Sequence, residues 1–370
     1  MDSSTLKSWK QRLKAFGLLI LMINSGCSNE TESSQVSNRA LRYATGFSFT
    51  RHKGFVELSI ARQNQQPLVF YAANEDSISW VPQGKLVIPI PVKNLICTAT
   101  THLPWLEYLL VADKLIGFPN VDLIYSEEIR RQSLADVAGP DGISVEKVAA
   151  LKPGLIIANG GNEHLEGKFK PFGIPVIFTA EFRESHPLGR AEWIKLMGIL
   201  TNQYNRADSI FSKIELEYYQ ASKDAGNSNN PSVITGVPYG QVWFMPARNS
   251  YASTLFRDAG YKFLFDQESQ DGILKPSVEL VYERALSADF WIGAGSYKSM
   301  DAINSSDYRF KSFGPVRKNQ VYVYDRMTHA NRSGNGYFEL ATLRPDLLLK
   351  DLIKIRDSSY DHELVFYRKL

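Results

Sequence analysis

Arginine, tyrosine and tryptophan recur just after the apolar runs of this chain, where loops would project from strand ends. Tyr239, Trp243, Arg248 and Tyr251 follow Val233-Ile234-Thr235-Gly236, and Tyr297 follows Trp291-Ile292-Gly293. Arg326 and Arg332, with His329 and Asn331 between them, follow Val321-Tyr322-Val323-Tyr324. In the first half, Thr101 and His102 follow Leu95-Ile96-Cys97-Thr98, and Asn159 precedes Gly160-Gly161, where missing side chains let a bound group approach the backbone. Arg183 and His186 bracket Glu184-Ser185. Rings offer flat apolar contact, and guanidinium offers a fork of donors to carboxylate, phosphate or catecholate oxygens. Such a set reads as a binding surface, and no enzyme is expected. There is no Gly-x-Ser-x-Gly elbow, phosphate loop or His-Glu-x-x-His, and Asn159-Gly160-Gly161-Asn162 lacks the dinucleotide spacing. No catalytic residue is expected. Bare metal binding needs three or four converging ligands, which of the six histidines only His102, His186 and His329 could begin to supply. No resident metal and no cofactor are expected.

The elements that must position these loops alternate. From Leu95 onward, short buried strands are followed by loops and helices, which predicts parallel sheets with helices packed on them. Ser144 caps a helix that ends at Leu151-Lys152-Pro153-Gly154, and the strand Leu155-Ile156-Ile157-Ala158 follows. A helical stretch over 190–223 carries Trp193, Met197, Leu200 and Tyr204 at helical spacing, and Asn229-Asn230-Pro231 lies beyond its end. A second α/β series then runs to a closing helix over Leu343 to Ile355. The expected fold is therefore α/β: two Rossmann-like lobes with parallel sheets joined by a single long helix. Extra N-terminal strands are expected at 47–50 and 55–60, about a turn at 51–54, and at 68–71 and 86–90, the last at an edge because of Pro89. Ligand sites in such sheets lie beyond the carboxyl ends of the strands.

The ends of the chain carry other information. Lys7, Lys10, Arg12 and Lys14 precede the apolar run Ala15 to Ile23, which is too short to span a bilayer. Asn24-Ser25-Gly26-Cys27 follows, and the layout resembles a bacterial lipoprotein signal, with Asn24 where that pattern usually has Leu. The resemblance implies lipidation of Cys27. The organisation expected is a signal peptide over 1–27, a polar tether over 28–40, a first lobe with added strands over 41–189, the linker helix over 190–223 and a second lobe over 224–370. The net charge of +3 is small for this length and the basic residues are interspersed with acidic ones along most of the chain, which argues against nucleic acid as a partner. With Cys27 lipidated, Cys97 has no partner and reads as a small buried hydrophobe.

Two segments resemble the metal-chelate and cobalamin class of ABC-importer binding proteins. One is Ile143-Ser144-Val145-Glu146-Lys147-Val148-Ala149-Ala150-Leu151-Lys152-Pro153-Gly154 with its following strand, where Gly154 replaces the usual Asp. The other is Pro187-Leu188-Gly189-Arg190-Ala191-Glu192-Trp193, and the tail from Leu343 fits the same branch. The resemblance covers roughly residues 90 to 370. It implies a monomer of the cell envelope or periplasm that clamps an iron-siderophore, heme or cobalamin between its lobes and hands it to a permease. It also implies permease docking by one acid on each lobe, here Glu163 and Glu279. The ligand itself would carry any iron or cobalt. Two alternatives stay open: a free zinc or manganese carrier, marked by a histidine cluster, and a surface lipoprotein that captures ligand without a permease. Glu30 and Glu32 leave open which membrane face holds the anchor.

Overall fold

The computed structural model describes residues 41–63, 65–140, 142–226, 230–266 and 272–370. The leader, Cys27 and the tether over 28–40 lie outside the described residues.

Alternating apolar and polar residues near the start of the described chain build a four-stranded sheet from β1 (Phe47–His52), β2 (Phe55–Arg62), β3 (Gln65–Asn74) and β4 (Val87–Ile90). The first three pair antiparallel, and β4 pairs only with β3, so the strand with Pro89 is at the edge as expected. Leu58, Ile60, Phe70 and Ile88 turn inward to the main core. Arg62 ties the sheet to the first lobe, 3.2 Å from Glu166 and over the Phe178 ring.

The runs that are apolar on both faces form the first lobe. β5 (Leu95–Cys97), β6 (Leu115–Phe118), β7 (Ala135–Asp136), β8 (Leu155–Asn159) and β9 (Val176–Thr179) make one sheet in the order β7-β6-β5-β8-β9. All its pairings are parallel, which explains why the strands lack alternation: helices cover both faces. The helices are α1 (Leu103–Leu109), α2 (Glu127–Arg130), α3 (Val145–Leu151) and α4 (His164–Phe169). Ser144 caps α3 by accepting from the Lys147 amide, and Lys152 ends it in the left-handed conformation. Cys97 is buried in this core.

The stretch expected as one helix over 190–223 is three: α5 (Pro187–Glu192), α6 (Ile194–Leu200) and the 22-residue α7 (Tyr204–Ala225). The break has a local cause. Asn202 is left-handed, and the Gln203 amide donates back to the Gly198 carbonyl, closing α6 before α7 starts. The turn folds α6 against α7, where a Cβ on Gly198 would lie 2.6 Å from that of Ala207.

The second lobe repeats the pattern. Its strands are β10 (Ser232–Ile234), β11 (Pro238–Tyr239), β12 (Val242–Trp243), β13 (Met245–Pro246), β14 (Lys262–Phe263), β15 (Ile273–Leu274), β16 (Phe290–Ile292), β17 (Val321–Val323) and β18 (Arg368–Lys369). The main sheet has the order β14-β10-β16-β17-β18, parallel except for β18. β11 with β12 and β13 with β15 form two short ribbons. Around them lie α8 (Tyr251–Asp258), α9 (Val278–Ala285), α10 (Met300–Ser306), α11 (Gly314–Arg317), α12 (Gly336–Leu340) and α13 (Pro345–Arg356). Two lobes joined through α7 therefore stand as expected, and α13 packs along α7.

The first described residues form a strap across the linker helices. The amides of Arg42, Tyr43 and Ala44 donate to the buried Glu192 carboxylate, and those of Thr45 and Gly46 donate to Glu184. Glu192 also holds Lys195, itself buried, at 2.8 Å. Two buried carboxylates are thus satisfied largely by main-chain donors, which is how such charges are tolerated in a core.

Candidate functional site

The carboxyl ends of the two parallel sheets meet. The segment after β5, residues 100–102, packs on α12, which follows β17. On the first-lobe side, the Thr101 hydroxyl donates to Glu181 Oε1 at 2.8 Å, in the loop after β9. Phe182 lies over Gly160, in the loop after β8, where a Cβ would come within 3.3 Å of the ring. On the second-lobe side, Tyr324 stacks on Tyr337 at 4.8 Å and meets Phe338 edge-on at 5.4 Å. Phe338 remains 54% exposed although it sits at this junction. Exposed rings beside buried polar groups at converging strand ends are what a ligand with flat apolar surface requires.

Arg190 closes the inner end of the junction. Its Nη2 donates to the Phe182 carbonyl at 2.9 Å and its Nε to the Glu184 carbonyl at 3.3 Å. The guanidinium lies over the Tyr251 ring of the second lobe, and burial lowers its pKa below the usual arginine value. Burial also raises the Tyr251 phenol. Sequence reasoning chose Tyr251 but passed over Arg190, which lay in a segment read only as helix.

His102 is fully buried. Its Nε2 pairs with Thr179 Oγ1 at 2.8 Å and its ring stacks on Trp105, so it supports the Thr101 loop from below. Burial lowers its pKa, against the opposing pull of Glu181. Asn159 is half-buried, its amide donating to Thr98 Oγ1 and its carbonyl accepting from Asn162. Arg183 is exposed and lies against the neighbouring Phe182 ring. His186 belongs elsewhere: its Nδ1 accepts from the Leu188 amide to cap α5, and its ring stacks on Tyr43 of the strap.

Trp243 is the clearest correction. Its side chain is 0% exposed, its indole N–H is used by the Thr235 carbonyl, and Trp291, Phe310, Phe313 and Tyr282 surround it. A tryptophan after a strand reads the same whether it faces solvent or core, and here the β11–β12 ribbon folds it inward. Arg248 points to Asp266 at 3.8 Å, beside Arg257. Tyr239 is 81% exposed on the β11–β12 ribbon, while Tyr297 accepts from Ser306 at 3.0 Å. Arg326 is exposed, and its amide donates to the Phe366 carbonyl. Arg332 crosses to the first lobe and pairs with Glu127 at 2.6 Å.

Glu163 and Glu279 each stand at a helix start. Glu163 precedes α4 and accepts from the Gly161 amide at 3.2 Å. Burial pushes its carboxyl up, but the amides of Glu163 and Gly161, with Arg183 and Arg62 nearby, outweigh this and hold it below the ordinary value. Glu279 is exposed in the first turn of α9. Among the described residues no group of three or more His, Cys, Asp or Glu converges on a point, and His102, His186 and His329 are dispersed. No described helix is long and apolar enough to cross a membrane. A cavity of about 540 Å³ opens at the other end of the second sheet, lined by Pro231, Asp289, Lys318 and Gln320, and no candidate residue reaches it.

Residues 95–328 match the family described as periplasmic binding protein. Two uncharacterized lipoproteins of Methanocaldococcus jannaschii are similar in sequence. One is 23% identical over 284 residues, covering 73% of this chain and 66% of that protein's length. The other is 23% identical over 353 residues, covering 84% and 89%. A periplasmic heme-binding protein from Roseiflexus sp. RS-1 shares the fold with TM-score 0.57 at 16% identity, over 71% of this chain and 97% of its own. The periplasmic vitamin B12-binding protein of Vibrio cholerae does so with TM-score 0.53 at 15% identity, over 74% and 99%.

Proposed function

The chain belongs to the periplasmic binding protein family, and from that premise we propose that it receives an iron chelate, heme or corrinoid between its lobes for an ABC importer. One observation carries the ligand class: exposed Phe338 and Phe182 frame the junction where the strand ends of both sheets converge on Thr101, Glu181 and Arg190. Rings and a few fixed polar groups hold a rigid, partly apolar chelate, whereas a bare cation needs clustered carboxylates and imidazoles. Export and anchoring through Cys27 belong to the same proposal, and the lipoprotein relatives support them. So does docking on a permease by Glu163 and Glu279, one acid per lobe.

The test is titration of the purified chain with hemin, a ferric hydroxamate, cyanocobalamin and zinc chloride, followed by tryptophan fluorescence. Saturable quenching by a chelate or corrinoid is expected, weakened about tenfold by Phe338→Ala, the usual size of a truncated contact at a binding centre. A response to zinc alone would replace the proposal with a free-metal carrier, and silence from all four ligands would refute it.

A further inference from the structure

Residues 42–46 lie outside the stretch that matches the family, 95–328, yet they end on the loop that builds one wall of the ligand junction. That loop, residues 181–186 between β9 and α5, faces two ways. Toward the junction, Glu181 takes the Thr101 hydroxyl and exposed Phe182 lies over Gly160. Away from it, the buried Glu184 side chain turns back to the strap.

Four donors fill the Glu184 carboxylate, and three belong to the strap. The Thr45 amide donates to Oε1 at 2.9 Å, the Thr45 hydroxyl to Oε2 at 2.9 Å and the Gly46 amide to Oε1 at 2.8 Å. The Trp193 indole N–H adds the fourth bond, to Oε1 at 2.9 Å. A charged acceptor held by two main-chain amides fixes backbone against loop, because an amide cannot turn away without moving the chain.

The seat leaves no slack. A Cβ on Gly46 would lie 2.7 Å from Trp193 Cζ2 and 3.1 Å from Glu184 Oε1. A Cβ on Gly189, in α5, would lie 3.1 Å from the Tyr43 carbonyl oxygen and 3.2 Å from Glu184 Oε2. Gly46 also leads straight into the added sheet, where its carbonyl accepts from the Ala61 amide at 2.8 Å. From the other side the same loop is gripped by Arg190, through the Phe182 and Glu184 carbonyls. Arg190 follows Gly189 directly, so a shift of the strap also reaches the contact of Arg190 with Tyr251.

We infer, on the ligand reading above, that Thr45 and Gly46 are positioning residues: acting through Glu184, they hold the loop that presents Glu181 and Phe182 ready for the ligand. A loop already held in place need not be ordered by the ligand, and affinity is higher by that avoided entropy loss.

Two readouts on Gly46→Ala test this in the whole chain, with Trp243→Ala as a control that destabilises elsewhere. The first needs no ligand. It is amide hydrogen exchange at Arg183 and Glu184, whose amides bond the Ala180 and Glu181 carbonyls at 2.9 and 3.1 Å. Measured against the helices of the first lobe, exchange there is expected to speed up roughly tenfold in Gly46→Ala and to stay unchanged in Trp243→Ala. The second is affinity for hemin, a ferric hydroxamate and cyanocobalamin. For the probe that the natural chain binds, Kd is expected to rise about tenfold in Gly46→Ala and to stay within about twofold in Trp243→Ala. In Thr45→Val, which loses the hydroxyl bond and keeps the amide, it is expected to rise about threefold.

Unchanged exchange at Arg183 and Glu184, or faster exchange with an unchanged Kd, would overturn the role of the strap. So would an equal loss of affinity in Trp243→Ala, since that loss would belong to general destabilisation. Silence of the natural chain toward all three probes would instead refute the ligand reading, and the part of the strap in binding with it. Should Gly46→Ala not fold, Thr45→Val decides.

Discussion

The Arg190 guanidinium lies 3.8 Å from the centre of the Tyr251 ring, so a cation on the first linker helix is seated on a phenol of the opposite lobe. Because Arg190 also grips the Phe182 and Glu184 carbonyls, one side chain ties the loop after β9 to the second lobe.

Removing that cation is expected to be costly. Arg190→Ala loses the cation–ring contact and the two carbonyl bonds, together about 2–4 kcal/mol of unfolding free energy. Tyr251→Leu, which loses the ring contact and the 3.3 Å hydroxyl bond to the Ala341 carbonyl, is expected to cost less, about 1–2 kcal/mol. Urea unfolding of both variants checks the ranking, and an equal loss would show that the Tyr251 contacts, not the carbonyl bonds of Arg190, dominate.

Trp243 is expected to matter for stability alone. Trp243→Ala leaves a cavity among Trp291, Phe310 and Phe313 and costs about 3–5 kcal/mol. Affinity of the surviving folded fraction for its ligand is expected to stay within about twofold of the natural chain. A larger loss of affinity, at full occupancy of the folded state, would return Trp243 to the site.

The strap rests on Glu192. Glu192→Ala strips three main-chain amides of their acceptor and leaves buried Lys195 with Asp208 at 3.1 Å and the Phe211 ring. A loss of about 3–5 kcal/mol is expected, with faster proteolysis near Arg42 and Tyr43. Mass analysis of early cleavage products shows whether the strap is the first part released.

Asp325 sets a dependence on acid. Burial pushes its carboxyl up, but the Arg368 fork at 2.9 Å and Lys298 outweigh this and lower it below its ordinary value of 3.8. The stability it contributes is present above that ordinary value and is lost as pH falls through the lowered one. Asp325→Asn is therefore expected to melt lower than the natural chain near neutrality, with the gap closing below about pH 4. Melting temperatures across an acid series would show the convergence, and a constant gap would mean the loss is one of shape and not of charge.

Docking is expected to need an acid on each lobe. Glu163→Ala with Glu279→Ala should leave ligand binding within about twofold and reduce transport through the partner permease by roughly tenfold or more. Transport in reconstituted vesicles separates this from a surface protein that works alone, since such a protein would be indifferent to the double change.

Much of the architecture was legible because it rests on local patterns. Runs such as Leu155–Ile157, apolar on both faces, announce a parallel sheet, and Ser144 with Pro153 marks a helix between them. Pro89 placed β4 at an edge for want of an amide. The break at Asn202 was hidden, because apolar spacing continues through Tyr204 and a left-handed asparagine leaves no strong mark. The site was read least well. Trp243 lies in a short strand that turns it into the core, His186 packs on the strap, and Arg190 and Glu339 carried no role in the sequence reading. Glu339 did carry a signal, a lone acid within Gly336-Tyr337-Phe338-Glu339-Leu340.

By itself, then, the amino-acid order determined the two α/β series, the added strands and the places where loops emerge, since each depends on periodicity and turn chemistry within a few residues. Only the tertiary structure decided which side chains those loops turn toward each other. Arg190 on Tyr251 and Glu339 on the Tyr125 amide are pairs far apart along the chain, and their partnership is set by how the lobes pack, which no local spacing encodes.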